Sequence, residues 1–153
     1  MATKVRNPSA ALIEQLLSTP YEFDFFQAVR ILEQHAAWPA DAADTSRHSA
    51  PQHAPQPVGH DGPPGNEAVR FTALQSHAFP SAEITAVRQP NSDPDTATGP
   101  PPEMTVSFMG LTGPNGVLPD HYTSLMIERM RQRDTALRDF FDTFNHRTIS
   151  LFY

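Results

Sequence analysis

The sequence predicts an α+β fold, with helices at both ends of the chain and a small, mainly antiparallel sheet between them. Three observations carry that prediction. Apolar residues recur at helical spacing near each end, apolar and polar residues alternate with period two in the middle, and proline-rich tracts without a hydrophobic period separate these segments. A chain of 153 residues permits one domain with a modest core, but 16 prolines and a mean hydropathy of −0.44 make much of it loop.

Near the start, Asn7 and Pro8 form a cap and first-turn pair, and Leu12, Ile13, Leu16 and Leu17 make a short apolar stripe that ends at Pro20. A second helix is expected from about Glu22. Phe25, Val29, Leu32 and Ala36 form its main face with Phe26 beside them, and Ile31 projects from the other side, as a lone exposed apolar residue or, the less favoured reading, the trace of a second contact surface. From Pro39 to about Glu67 the chain is rich in proline, alanine, glycine and histidine. It cannot bury enough apolar surface to offset its ordering, which predicts a mobile loop. His48, His53 and His60 fall in it at spacings that match no rigid zinc frame, so no metal site is expected.

The period then becomes two. Val69, Phe71 and Ala73 alternate with Arg70 and Thr72, Ile84, Ala86 and Arg88 with Thr85 and Val87, and Met104, Val106 and Phe108 with Thr105 and Ser107, which predicts three strands. Between the second and third lies QPNSDPDTATGPPPE, an extended loop suited to docking on a partner. Gly110, Gly113 and Gly116 suggest a phosphate cradle, but Pro114 interrupts them and removes a backbone donor. A tight strand-to-helix turn is the better account.

Leu118, Tyr122, Leu125, Met126 and Met130 mark the next helix. Pro119 and Asp120 supply its start signal, with the aspartate placed to accept free backbone N–H groups, and Asp134 can begin the last helix in the same way. In that last helix Leu137, Phe141, Phe144, Thr148 and Leu151 form an apolar stripe flanked by Phe140 and Phe152. Each large side chain in it gains roughly 1.5–3 kcal/mol by leaving water, so the stripe must pack on something. Asp139, Asp142, His146 and Ser150 fall on the opposite face, where Asp142 and His146 are expected to form a solvated pair one turn apart. The alternative is half of an acid/base or metal site, but no third ligand or nucleophile stands at a motif spacing. Arg147 lies at the edge of the stripe beside Phe140 and Leu151, where a guanidinium needs a carboxylate or carbonyl cluster. An internal cluster is the favoured reading, a partner's the other.

Composition narrows the function classes. With no cysteine the chain has no disulfide, thiolate metal site or thiol nucleophile, and a net charge of −6 argues against a nucleic-acid partner. Its apolar runs are too short to span a bilayer, and the N-terminus lacks the pattern of a secretory signal. The G-x-S-x-G, G-x-x-x-x-G-K, H-E-x-x-H and post-strand G-x-G-x-x-G motifs are all missing, so no catalytic, cofactor-binding or metal residue is assigned.

Six strings in order do point to a family. They are FDFFQAVRILEQ (23–34), VGHDGPPGNEAVRF (58–71), AFPSAEITAVRQ (78–89), GL-x-GP (110–114), LPDHY (118–122) and DFFDTFNHRTISLFY (139–153). Together they resemble the TssG (ImpH, VasB) family, a baseplate subunit of bacterial type VI secretion systems. Asn115, Gly116 and Val117 fill a variable part of the turn, and Phe141 stands where leucine is more usual in the family.

The resemblance implies a non-enzymatic structural subunit without a cofactor. It implies assembly with TssF into a wedge and connection through TssK to the membrane complex, with TssE and the VgrG spike nearby. The setting would be the cytoplasm, at a baseplate docked on the inner-membrane complex. Because family members continue past the position of Tyr153, residues 1–153 are expected to form an N-terminal part. Its expected divisions are helices over about 8–36, a loop over about 39–67, strands over about 68–109 and helices over about 119–153. Leu137, Phe140, Phe141, Phe144, Arg147 and Leu151 become candidates for a partner interface, with internal packing as the competing role. Gly110, Gly113, Pro114, Leu118 and Pro119 form the family-like turn. Two other readings are a free-standing cytosolic adaptor that uses the same exposed loops, and a metal-dependent hydrolase built on Asp142 and His146.

Overall fold

Proline and glycine set the boundaries of the elements. The computed structural model describes residues 8–37, 56–62, 66–90 and 100–153. Helix α1 (Pro8–Ser18) starts at a proline and stops before Pro20, which opens a single 3-10 turn (Pro20–Glu22). Helix α2 (Phe25–Ala37) follows. The carboxylate of Glu83 accepts the N–H of Phe25 at 3.1 Å, so a distant side chain meets a donor that α2 cannot satisfy itself. Strands β1 (Arg70–Ala73), β2 (Ile84–Arg88) and β3 (Glu103–Val106) precede helices α3 (Asp120–Arg131) and α4 (Ala136–Phe152). The expectations placed on Asn7, His48 and His53, and on most of the two proline-rich loops, lie outside the described residues.

The α+β class holds, but the sheet is mixed where mainly antiparallel pairing was expected. Its order is β1-β3-β2, with β1 parallel and β2 antiparallel to β3. Parity explains this. Each connection reverses the chain, so a third strand inserted between the first two runs against the second and with the first. Strand β2 also departs from strict alternation. A register shift between Ile84 and Ala86 moves the inward position by one, and Ile84 and Val87 are the buried pair.

One core joins the sheet to α1 and α2. Ile13, Leu16, Phe25, Ala28, Val29 and Leu32 pack with Phe71, Ile84, Val87, Met104 and Val106, and Ile149 enters from α4. The Phe25 ring lies near the centre, 5.6 Å from Phe71 and 5.0 Å from Phe108 between centroids. Ile31 packs partly against this core, so the second-contact reading fits it and the lone exposed one does not. A helix of 13 residues carries more than one inward row, and the far side of α2 also meets the fold.

Candidate functional site

The least expected feature is the way α4 meets the sheet. Strand β1 lies at an edge, so one row of its backbone groups has no strand to pair with. Arg70 and Leu74 donate toward the β3 side, to the carbonyls of Pro102 and Val106, which leaves the alternate amides of Phe71 and Ala73 facing outward. Helix α4 meets both. His146 Nδ1 accepts from the Phe71 N–H at 3.1 Å, and Asp142 Oδ1 accepts from the Ala73 N–H at 3.1 Å.

The match is geometric. One turn of helix advances about 6 Å over four residues, close to the roughly 6.6 Å that two strand residues span. The pairing order also shows that α4 runs antiparallel to β1.

Asn145 extends the same row. Its Oδ1 accepts from the Leu111 N–H at 2.8 Å and its Nδ2 donates to Asp142 Oδ1 at 2.9 Å. Asp142, Asn145, Ile149 and Ser150 are all buried, and the His146 ring stacks on Phe71 with centroids 5.8 Å apart.

The wheel placed Asp142, His146 and Ser150 together on one face, but that face is the inward one. The expected solvated pairing of Asp142 with His146 is not made, because each side chain is taken by a strand amide. The cause is the edge strand. Two buried amides without acceptors would cost more than leaving part of a phenylalanine wet.

The electrostatics follow from this burial. It pushes the Asp142 carboxyl above its ordinary value, against the hydrogen bonds from Asn145 and Ala73 and the charge of Arg138. Burial likewise holds His146 below its ordinary value, against the pull of Glu67, with Arg70 and Arg147 acting in the same direction as burial. Glu67 Oε2 is buried without a well-angled hydrogen bond, and His146 Nε2 lies 2.6 Å from it.

The opposite face of α4 is turned to solvent. Phe140 is 58% exposed, Phe144 50% and Leu151 66%, while Leu137 and Phe141 are half-buried. Phe140 and Phe144 meet edge to face at 5.3 Å, and Tyr122 of α3 approaches Phe141 at 6.5 Å. At the far end Phe152 lies 5.7 Å from Phe26 of α2, and both are half exposed. Arg147 stands in this exposed face with two long contacts, 3.5 Å to the Gly59 carbonyl and 3.4 Å to the exposed Asp61 carboxylate.

The end of α4 is held more firmly. Tyr153 donates its hydroxyl to Glu33 of α2 at 2.9 Å, and the other oxygen of Glu33 accepts the Val58 N–H at 2.9 Å. Gly59 has a φ of 81°, and a Cβ there would lie 2.8 Å from the Ser150 carbonyl oxygen, so the 56–62 loop lies close against α4.

The turn before α3 is a packing device. Gly113 has a φ of 103°, and a Cβ on it would fall 2.0 Å from the Leu74 carbonyl oxygen. Its N–H donates to Thr123 Oγ1 at 3.0 Å, which leaves it no donor for a phosphate. Val117 and Leu118 donate back to Gly110 and Leu111 and close the turn. Pro119 sits at the helix cap and Leu118 is half-buried. Asp120 makes no capping bond of the kind expected of it. Its carboxylate lies 3.1 Å from His77 Nδ1 on the β1–β2 loop. Asp134 does meet the start of α4, accepting the Ala136 N–H at 3.1 Å.

The outer sheet face carries a groove of about 310 Å³ lined in part by Thr72, Thr85, Thr105, Arg138 and Asp142. Its hydroxyls bond to one another and to backbone. Thr72 and Thr105 lie 3.0 Å apart, and Thr85 donates to the Thr105 carbonyl. Among the described residues no three His, Asp or Glu side chains are grouped to hold a metal ion, and no helix is long and apolar enough to cross a membrane.

Composition and spacing missed Asn145, Glu67 and Glu33. The available signal was the row Asp142, Asn145, His146 and Ile149, which has core spacing but polar chemistry.

A family model described as "Type VI secretion, TssG" matches residues 19–153. Comparison with curated proteins and with solved structures returned no match.

Proposed function

Because the chain belongs to the type VI secretion TssG family, we propose that it acts in a baseplate wedge and presents the outward face of α4 to a neighbouring subunit. Members of that family are structural components of the secretion baseplate. On this reading the chain assembles with TssF and TssK, with TssE and VgrG close by, in the cytoplasm beneath the inner-membrane complex, and its role is mechanical.

One observation supports the docking face above the rest. α4 directs its hydrogen-bonding side chains inward to β1, so Phe140, Phe144 and Leu151 are left on the surface of this chain. A cluster of partly exposed aromatics beside a weakly held arginine has the composition of an interface core, where tyrosine, phenylalanine and arginine are enriched. The half-buried Leu137 and Phe141 border the cluster, and Arg147 can exchange its long contact with Asp61 for a partner carboxylate.

The test is co-expression with the TssF and TssK of the same organism, followed by size-exclusion chromatography with light scattering. A co-eluting complex that disappears in the Phe140→Asp/Phe144→Asp variant, with its circular dichroism unchanged, is the expected result. A complex that survives that double substitution moves the interface elsewhere. A wild-type chain that stays monomeric beside both partners overturns the assembly reading.

A further inference from the structure

We propose that His146 is an acid-released latch between α4 and β1, a role distinct from the docking face and not resting on it. The Phe71 amide donates to Nδ1 at 3.1 Å, so that nitrogen must carry a lone pair. The ring proton therefore sits on Nε2, which faces Glu67 Oε2 at 2.6 Å. A second proton has only Nδ1 to occupy. Once there, it sets an N–H against the Phe71 N–H, and attraction becomes repulsion between two donors.

The neighbours act in opposing directions. Glu67, in the segment leading into β1, favours the imidazolium, whereas Arg70 of β1 and Arg147 of α4 oppose it together with burial. Asp142, one turn earlier on α4, provides a contrast within the same seam. A protonated carboxyl still has an oxygen that can accept the Ala73 amide, but an imidazolium has no acceptor left. Acid therefore releases Phe71 and spares Ala73. The two amides are neighbours in the one row of β1 that faces α4, so each serves as the other's reference.

The measurement is backbone amide exchange by NMR on the 153-residue chain between about pH 7.5 and about pH 5, a range that brackets the ordinary titration of histidine, with imidazole ¹⁵N shifts recorded alongside. At the upper pH the shifts should report the Nε2–H tautomer. As His146 gains its proton, the protection factor of Phe71 should fall about tenfold while that of Ala73 changes by less than about twofold. In His146→Asn the side-chain oxygen can take the place of Nδ1 and does not titrate, so the Phe71 protection should become independent of pH. An Nδ1–H tautomer at neutral pH would overturn the proposal, as would Phe71 protection that stays constant through the His146 titration. Both readouts come from the unsubstituted chain and stand even where the variant fails to fold.

Discussion

Asp142 Oδ1 takes two hydrogen bonds at once, from the Ala73 amide at 3.1 Å and from Asn145 Nδ2 at 2.9 Å, while its second oxygen is buried without a hydrogen bond, 3.9 Å from Arg138 Nε. The residue thus serves as an acceptor, and its charge is a burden to the fold. Asp142→Asn keeps an oxygen at the occupied position and removes that charge. It should leave the midpoint of urea unfolding unchanged or raised at pH about 7, whereas Asp142→Leu strands a buried amide and should cost about 1–3 kcal/mol. Because burial raises the folded-state value above 3.8, ionised Asp142 weakens the fold, and its favourable contribution is lost as pH rises through that folded value. The advantage of the asparagine variant should therefore grow with pH. An advantage that grows toward acid would show the charge to be stabilising.

His146 contributes in the opposite direction. Its folded-state value lies below 6.5, so the unfolded chain binds the proton more readily. Its stabilisation is complete above about pH 6.5 and is lost as pH falls through the folded value. Unfolding free energy of the wild-type chain should rise from about pH 5 to about pH 7, and His146→Asn should flatten that part of the curve.

The two faces of α4 should respond to substitution in reverse of their hydrophobicity. Ile149 is fully buried, and Ile149→Ala should cost about 2–5 kcal/mol. Phe140→Asp and Phe144→Asp remove larger apolar side chains, yet they stand on the exposed face and should each shift stability by less than about 1 kcal/mol. Chemical denaturation of the three variants decides this, and a severe loss in either phenylalanine variant would place that ring in the core.

Gly113→Ala should be among the most damaging small substitutions. Holding a Cβ at a φ of 103° costs about 1–3 kcal/mol from the backbone alone, and the methyl group would also meet the Leu74 carbonyl at 2.0 Å. Gly59→Ala, with a φ of 81° and a 2.8 Å approach to Ser150, should cost less. Thermal unfolding of both variants gives the order, and an equal loss would mean that the turn relaxes around the added methyl.

Much of this architecture could be read from periodicity. The stripes of α1 and α2 and the alternation of Phe71 and Ala73 with Arg70 and Thr72 depend on burial of apolar surface, which leaves a regular trace in sequence. The parallel pairing of β1 with β3 left none, because strand order is a property of connections and not of any strand. The solvated pairing expected of Asp142 and His146 fails for a related reason. A helical wheel ranks faces by hydrophobicity, whereas the inward face here was chosen by two strand amides that needed acceptors. Asn145 looks like an ordinary surface residue until Leu111 is known to lie beside it. Gly113 marked a turn in the sequence, but the approach of Leu74 that makes it indispensable is visible only in space.

The closing of β1 by a helix also sets an order of events during synthesis. Phe71 waits for an acceptor 75 residues downstream and Ala73 for one 69 residues downstream. At roughly 5–20 residues per second the ribosome takes about 4–15 s to make that stretch. Throughout that interval the strand has no intramolecular cover for its outer amides, and any other nascent strand in reach can pair with them. The C-terminal helix thus acts as the chain's own late-arriving guard against misassembly, and a slow codon or a premature stop before residue 142 would prolong the hazard without changing a single side chain of the sheet.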